Sequence, residues 1–291
     1  MYTYNDLLAD LNRIQRMGAR IGHIGLASLS FADAKLAILT DCRLGAAVSG
    51  RMIPYAHIGS TEGAQIIVQG AIHAREHITA KLIVEQIYYI LQCGGETLKK
   101  GGMYFIPMTN PNGVTLAQFG LESVYGCARR NFLLRVNGEA GCDFSLWKAN
   151  LNAVDLNVNF PAEWGTGICN VRCPSPTNYI GASPASEPET RALMRFFKKV
   201  HPWRIVSFHQ PLHGVDIADK NVTFSRRLAR ALRLPAEKVT CGGVCGGTMT
   251  QWYNSHFKGT AITVEYGASP SKHLMQVQAP RELLHFFGAH R

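Results

Sequence analysis

The sequence predicts one α/β domain spanning residues 1–291, with a mixed, largely parallel central sheet flanked by helices. Three observations lead there. The length, 291 residues, suits a single large α/β domain better than two ordinary ones. Short apolar runs alternate with segments of helical period, the pattern of parallel strands joined by crossover helices. His73, His209 and Glu265 each follow one of those apolar runs, and α/β folds gather function at the carboxyl ends of their strands.

Each element has its own signal. Residues 5–17 (NDLLADLNRIQRM) space apolar side chains at helical intervals. Residues 64–72 (AQIIVQGAI) are an apolar run that closes on small residues, a buried strand. Residues 77–92 (HITAKLIVEQIYYILQ) read as a mostly buried helix. Residues 103–108 (MYFIPM) are another strand, followed by the turn-rich Asn110-Pro111-Asn112-Gly113. Residues 187–200 form a helix with Ser186 as its cap, Pro188 in the first turn and lysines in the last. Residues 203–208 (WRIVSF) and 260–264 (TAITV) are short strands, and 222–233 is a basic helix.

Composition narrows the function classes. Hydrophobic residues make up 46% and charged residues only 17%, which supports a packed core and excludes a disordered chain. No stretch reaches the roughly 18 apolar residues of a membrane span, so no membrane partner is expected. The formal charge of +10 comes from scattered basic residues with no nucleic-acid motif, so nucleic acid is not an expected partner. A solvated basic surface accounts for the charge, as would attraction to an anionic polymer such as cell-wall material. The first residues show no basic patch followed by an apolar run, so the expected location is the cytoplasm, with release to the cell wall by another route left open. The eight cysteines are then expected to be reduced. Cys169/Cys173 and Cys241/Cys245, with three-residue spacers, could meet as a four-cysteine zinc site; small buried or loop residues are the plainer reading.

The chemistry concentrates around His73-Ala74-Arg75-Glu76. A catalytic zinc takes three protein ligands and keeps one position open. A histidine and a carboxylate three residues apart, at a strand-to-helix junction, can turn toward one point. His209, closing the strand before it, is a plausible third donor. His73 to His77 also spells H-x-x-E-H, in which both histidines bind zinc and the glutamate is the base. That arrangement requires the five residues to lie within one helix, whereas Gly70 and the preceding strand place His73 at a junction.

Residues 70–78 (GAIHAREHI) resemble the first zinc motif of the M14 carboxypeptidase A family. Further landmarks follow in the family's order: Asn110-Pro111-Asn112-Gly113, Val154-Asp155-Leu156-Asn157-Val158-Asn159-Phe160, Ser186-Glu187-Pro188-Glu189, Ser207-Phe208-His209, and Trp252 thirteen residues before Glu265. The resemblance covers roughly residues 5 to 287. It implies a zinc carboxypeptidase-like fold and peptide-bond hydrolysis with one zinc per chain. His73, Glu76 and His209 would be the ligands and Glu265 the base that activates the attacking water and returns its proton to the leaving amine. The family's oxyanion-stabilising arginine is replaced by Lys148, after Trp147. Arg75 and Asn157 match substrate-contacting positions, and Thr250 matches the position that sets side-chain preference.

Two departures stand out. The arginine that grips the substrate's terminal carboxylate is Val158 here, and the tyrosine that closes over the substrate falls at Gly243. Arg129, Arg130, Arg135 and Arg172 are the candidate replacements for the missing cation. The stretch from Trp147 to Gly165 is similar to bacterial M14 peptidases of the γ-D-glutamyl-diamino acid type, which implies a murein peptide as substrate. The competing reading, a catalytically silent relative that binds peptide or cell-wall fragments, draws on the same two losses. The sequence sets no oligomeric state.

Overall fold

The computed structural model describes residues 1–24, 51–93, 101–238 and 244–289. An eight-stranded mixed sheet runs through it, flanked by helices. In chain order the strands are β1 (Arg20–Ile24), β2 (Ile53–Gly59), β3 (Ala64–Gln69), β4 (Gly101–Ile106), β5 (Arg204–His209), β6 (His213–Asp216), β7 (Ala236–Glu237) and β8 (Thr260–Tyr266). Their spatial order is β1-β2-β4-β3-β5-β8-β6-β7. The central strands β4, β3, β5 and β8 are mutually parallel, while β1, β2 and β6 add antiparallel pairings.

The continuous apolar runs in the sequence follow from burial on both faces of this sheet. On β3, Ile66 and Val68 point into one core while Ile67 points into the other. On β5, Val206 and Phe208 oppose Ile205 in the same way. The first core is closed by α1 (Tyr4–Arg16), α2 (Ile78–Gln92), α6 (Val222–Leu232) and α8 (Ala279–Ala289), through Leu7, Leu11, Ile83, Ile87, Leu228 and Phe287. The second is closed by α5 (Pro188–Val200) and α7 (Met249–His256), through Leu193, Phe197, Trp252 and Tyr253. A third cluster around Trp147 and Phe144 receives Leu116 from α3 (Pro111–Phe119) and Leu133 from α4 (Cys127–Asn137). Each fully buried Leu, Ile or Phe contributes about 1.5–3 kcal/mol relative to an exposed one.

Two local expectations are corrected. Ser186 is not the cap of α5: Glu187 holds that position without a side-chain cap bond, and Ser186 Oγ donates instead to Glu187 Oε1 at 2.8 Å. The Asn110–Gly113 stretch is not a free turn but the start of α3, with Asn110 Oδ1 accepting from Gly113 N and Pro111 in the first turn, where a missing N–H costs nothing. No helix among the described residues is long and apolar enough to cross a membrane.

Candidate metal centre and cavity

The junction after β3 creates the site. Ala71 takes a left-handed backbone (φ 46°), turning the chain out of the sheet before α2 begins. Thr79, in the first turn of α2, fixes this bend: its Oγ1 accepts from Ala71 N at 2.8 Å and donates to Glu76 O at 2.7 Å. His73 and Glu76 therefore lie in a short, tied loop rather than inside a helix. His209 is the last residue of β5, in register with Glu265 near the end of β8. Parallel neighbours with a shared carboxyl end bring the four side chains together from three separate parts of the chain.

His73, Glu76 and His209 are buried and offer ligand atoms that lie within 4.8 Å of one another. His73 Nδ1 is 2.7 Å from Glu76 Oε1 and 3.2 Å from His209 Nδ1, and His209 Nδ1 is 3.2 Å from Glu76 Oε2. Tetrahedral zinc with bonds of about 2.0–2.1 Å has ligand-to-ligand edges of about 3.3 Å, so the donor set fits that ion. Glu76 Oε2 is buried and makes no hydrogen bond despite its nearness to His209, an orphaned acceptor that a cation would satisfy. Burial alone would raise the Glu76 carboxyl, but His73 and His209 outweigh it and hold it at about 2. Burial would likewise lower His73, but Glu76 and Asp155 keep it above its ordinary value.

Outer contacts orient both rings. His73 Nε2 lies 3.3 Å from Asp155 Oδ1, and Asp155 Oδ2 lies 3.5 Å from Lys148 Nζ. Asp155 is fully buried; burial opposes its charge, yet Lys148 and His73 hold its carboxyl far below the usual range. His209 Nε2 meets Ser207 Oγ at 3.0 Å, and Ser207 Oγ in turn accepts from Gln69 at 2.9 Å. Carboxylates and hydroxyls behind ligand histidines fix tautomer and ring angle. Sequence reasoning passed over Asp155 and Ser207 as functional positions, although both lie inside the motifs it quoted.

A cavity of about 440 Å³ opens over the cluster. His73, His209, Glu265, Lys148, Asn157, Val158 and Thr250 all line it. Glu265 is 3% exposed; burial pushes its carboxyl up, and Leu212 N donates to its Oε2 at 3.1 Å. Asn157 Oδ1 accepts from Met249 N at 3.4 Å, and Thr250 Oγ1 is 3.3 Å from Thr248 Oγ1. Arg75 is half-buried and does not line the cavity. His77 starts α2 and accepts from Tyr2 N at 3.3 Å, outside the ligand group, so the arrangement with both histidines on one helix is not formed.

The candidate replacement arginines are also placed elsewhere. Arg129 binds Leu151 O and Asn152, Arg130 binds Val124 O, Arg172 binds Gly165 O, and Arg135 is exposed on α4. None of them lines the cavity, whose cations among the described residues are Lys148, Lys220 and Lys238. Gly243, Cys241 and Cys42 lie outside the described residues. The six described cysteines are free thiols, and no metal-holding group among the described residues contains one.

Fold and site together define a metallohydrolase with a His-Glu-His centre and a carboxylate beside it. The zinc carboxypeptidase model of the M14 peptidases matches residues 31–215, and the chain belongs to that zinc-dependent family. Glu265 and Thr250 lie beyond the matched segment. Among curated relatives, γ-D-glutamyl-L-diamino acid endopeptidase 1 of Lysinibacillus sphaericus is 32% identical over 178 residues, 57% of this chain and 44% of that protein. Murein peptide amidase A of Escherichia coli K12 is 35% identical over 133 residues, 43% of this chain and 54% of that protein. The chain thus spans about half the length of these relatives. Carboxypeptidase A from Helicoverpa armigera shares the fold with a TM-score of 0.69 at 15% identity, over 99% of this chain and 73% of that one. The murein-tripeptide amidase MpaA from E. coli O157 gives a TM-score of 0.57 at 20% identity, over 94% and 95% of the two chains.

Proposed function

We propose that this chain hydrolyses the γ-D-glutamyl–diamino acid bond of murein peptides, with His73, Glu76 and His209 holding one zinc ion. The observation that carries the reading is the cavity shared by His73, His209, Glu265 and Lys148, with Val158 where a carboxylate-binding cation would stand. Zinc, when bound, supplies a Lewis acid that polarises the scissile carbonyl and lowers the pKa of water to about 7.

The protein's own groups do the rest. Glu265, held by the Leu212 amide, takes a proton from the attacking water and returns it to the leaving amine. Lys148 Nζ, fixed beside Asp155, presents positive charge to the oxyanion. Asn157 orients the substrate from the cavity wall. A carboxylate placed against Val158 would be a buried charge without a partner, at a cost of several kcal/mol. That argues against a free terminal carboxylate of the ordinary kind at this position. Thr250, Asn254 and Thr263 make part of the wall polar, which suits the polar side chain of a diamino acid better than a Phe ring.

The test is digestion of defined muropeptides alongside ordinary peptides, with product masses as the readout. Cleavage between γ-D-glutamate and the diamino acid, with little release of C-terminal Phe, Leu, Lys or Arg, is the expected result. Efficient release of those residues with muropeptides untouched would overturn the substrate while leaving the zinc site intact. Peptide binding without turnover by the zinc-loaded protein would favour the silent binder, the reading suggested by Val158.

A further inference from the structure

One wall of the cavity is built from two chain segments far apart in sequence. Segments 158–170 and 244–247 are laced together by Phe160 N donating to Gly247 O (2.9 Å), Gly247 N to Ala162 O (2.7 Å) and Cys169 N to Val244 O (3.3 Å). The Asn170 side chain adds two bonds, accepting from Gly246 N at 3.0 Å and donating to Gly246 O at 3.1 Å. The approach leaves no spare room: a Cβ on Gly167 would lie 2.7 Å from Cys245 Cα, and one on Gly247 would lie 2.5 Å from Val158 O.

Across this seam Cys169, whose N donates to Val244 O, faces Cys245 closely enough to perturb its thiol. Both residues are half-buried, and Cys245 and its neighbour Val244 line the cavity with His73, Lys148 and Glu265. Among the described residues neither cysteine belongs to a metal-holding group, so their adjacency is not explained by the zinc centre. Two cysteines on adjacent backbones already pinned to each other need little rearrangement to reach bonding distance.

We propose that Cys169 and Cys245 form a redox modification site, closing to a disulfide by exchange with a low-molecular-weight disulfide and so fastening the wall of the active-site cavity. The exchange has two steps. One cysteine, as thiolate, attacks a sulfur of the small disulfide, forming a mixed disulfide and displacing one small thiolate. The other cysteine then attacks the protein sulfur of that bond and displaces the second. Two protein thiols are oxidised, one small disulfide is reduced to two thiols, and the two protons lost by the cysteines pass to the departing thiolates. Burial and the neighbouring Cys169 push the Cys245 thiol up to about 11, so the first attack falls to Cys169 and Cys245 resolves the intermediate. Cys173, exposed and four residues along the same segment, is the natural competitor.

The site stands or falls independently of the substrate reading. The reduced, zinc-loaded full chain is incubated with oxidised glutathione, and peptides are mapped by mass without reduction. The expected product is a Cys169–Cys245 link, two hydrogens lighter than the two thiols, restored by dithiothreitol and retained in Cys173→Ser. In Cys169→Ser the link is absent and Cys245 stays a thiol or carries glutathione. Amide exchange across 244–247 slows several-fold in the oxidised protein, and its melting temperature rises by roughly 3–10 °C, while Cys169→Ser shows neither change. Persistent glutathione adducts on both cysteines, a link made through Cys173, or a link that leaves exchange across 244–247 unaltered would each overturn the proposal.

Discussion

Glu265 reaches the cavity from β8 with one carboxylate oxygen held by the Leu212 amide, so its geometry does not depend on its charge alone. Glu265→Gln preserves that shape and removes proton transfer. The expected outcome is retained zinc and fold with kcat lower by about 10²–10⁴-fold; near-normal turnover would remove Glu265 from the role of base. Lys148→Ala should lower kcat more than it raises KM, the mark of an interaction gained on the way to the transition state. Because Lys148 also partners the buried Asp155, the variant will melt earlier, and the kcat–KM split rather than activity alone is the decisive readout. The two candidate partners of His73 and Glu76, His209 and His77, separate cleanly. His209→Ala should lose zinc by metal analysis, whereas His77→Ala, whose ring accepts from Tyr2 N instead, should keep it. The reverse pattern would restore the arrangement in which both helix-junction histidines bind the metal.

At the scale of the element, the start of α5 carries a buried carboxylate pair. Asn150 Nδ2 donates to Glu187 Oε2 at 2.7 Å and lies 3.3 Å from Glu189 Oε2, and Asn152 also donates to Glu187. Burial, then the charge of Glu187, pushes the Glu189 carboxyl up from 4.5 to about 7. Between those two values the folded chain keeps a proton that the unfolded chain has released. Stability therefore falls as pH rises through that window. Glu189→Gln removes the dependence and should stabilise the protein at pH 8 by on the order of 1–3 kcal/mol, with no gain at pH 4. Thermal melts of both proteins at the two pH values measure it, and an equal difference at both would show that folding does not raise the Glu189 carboxyl. The sequence marked this helix start correctly but assigned its cap to Ser186. Local spacing cannot show that Asn159 Nδ2, 27 positions away, already donates to that hydroxyl.

For the whole molecule, a zinc ion held by His73, Glu76 and His209 would tie the loop after β3 to the end of β5, so metal binding and global stability would be coupled. Metal analysis should find about one zinc per chain. A chelator should abolish activity reversibly and lower the melting temperature, because a ligand present at 100 times its Kd stabilises the folded state by about 2.7 kcal/mol. Unchanged melting after complete zinc removal would argue against a site that bridges the β3 loop and β5. Most central elements were legible because burial on both faces of a parallel sheet writes continuous apolar runs, and buried helices write a 3.6-residue period. The missed strands β1, β2, β6 and β7 are five, seven, four and two residues long and flank the four parallel central strands, too short or too interrupted by Pro, Gly and polar residues to leave a pattern. Helix α3 was hidden because Asn-Pro-Asn-Gly spells a turn, and only its continuation through Val114 and Leu116 into the core makes it helical.

The sequence by itself determined the α/β class and the central strands, and it singled out His73, Glu76, His209 and Glu265 as candidates through their strand-end positions and ordered family motifs, which are local properties. Tertiary structure decided everything that depends on contact between distant residues. It set Asp155 behind His73, drew Lys148 to the cavity and kept Arg129, Arg130, Arg135 and Arg172 out of it. It also brought Cys169 and Cys245 together across 76 positions, a meeting that the sequence offered only as part of a four-cysteine zinc site. The physical reason is the same in each case. Periodicity reports how a segment is buried, but the partner that satisfies a buried charge or thiol is chosen by how separate elements pack, and that choice leaves no local trace in the chain.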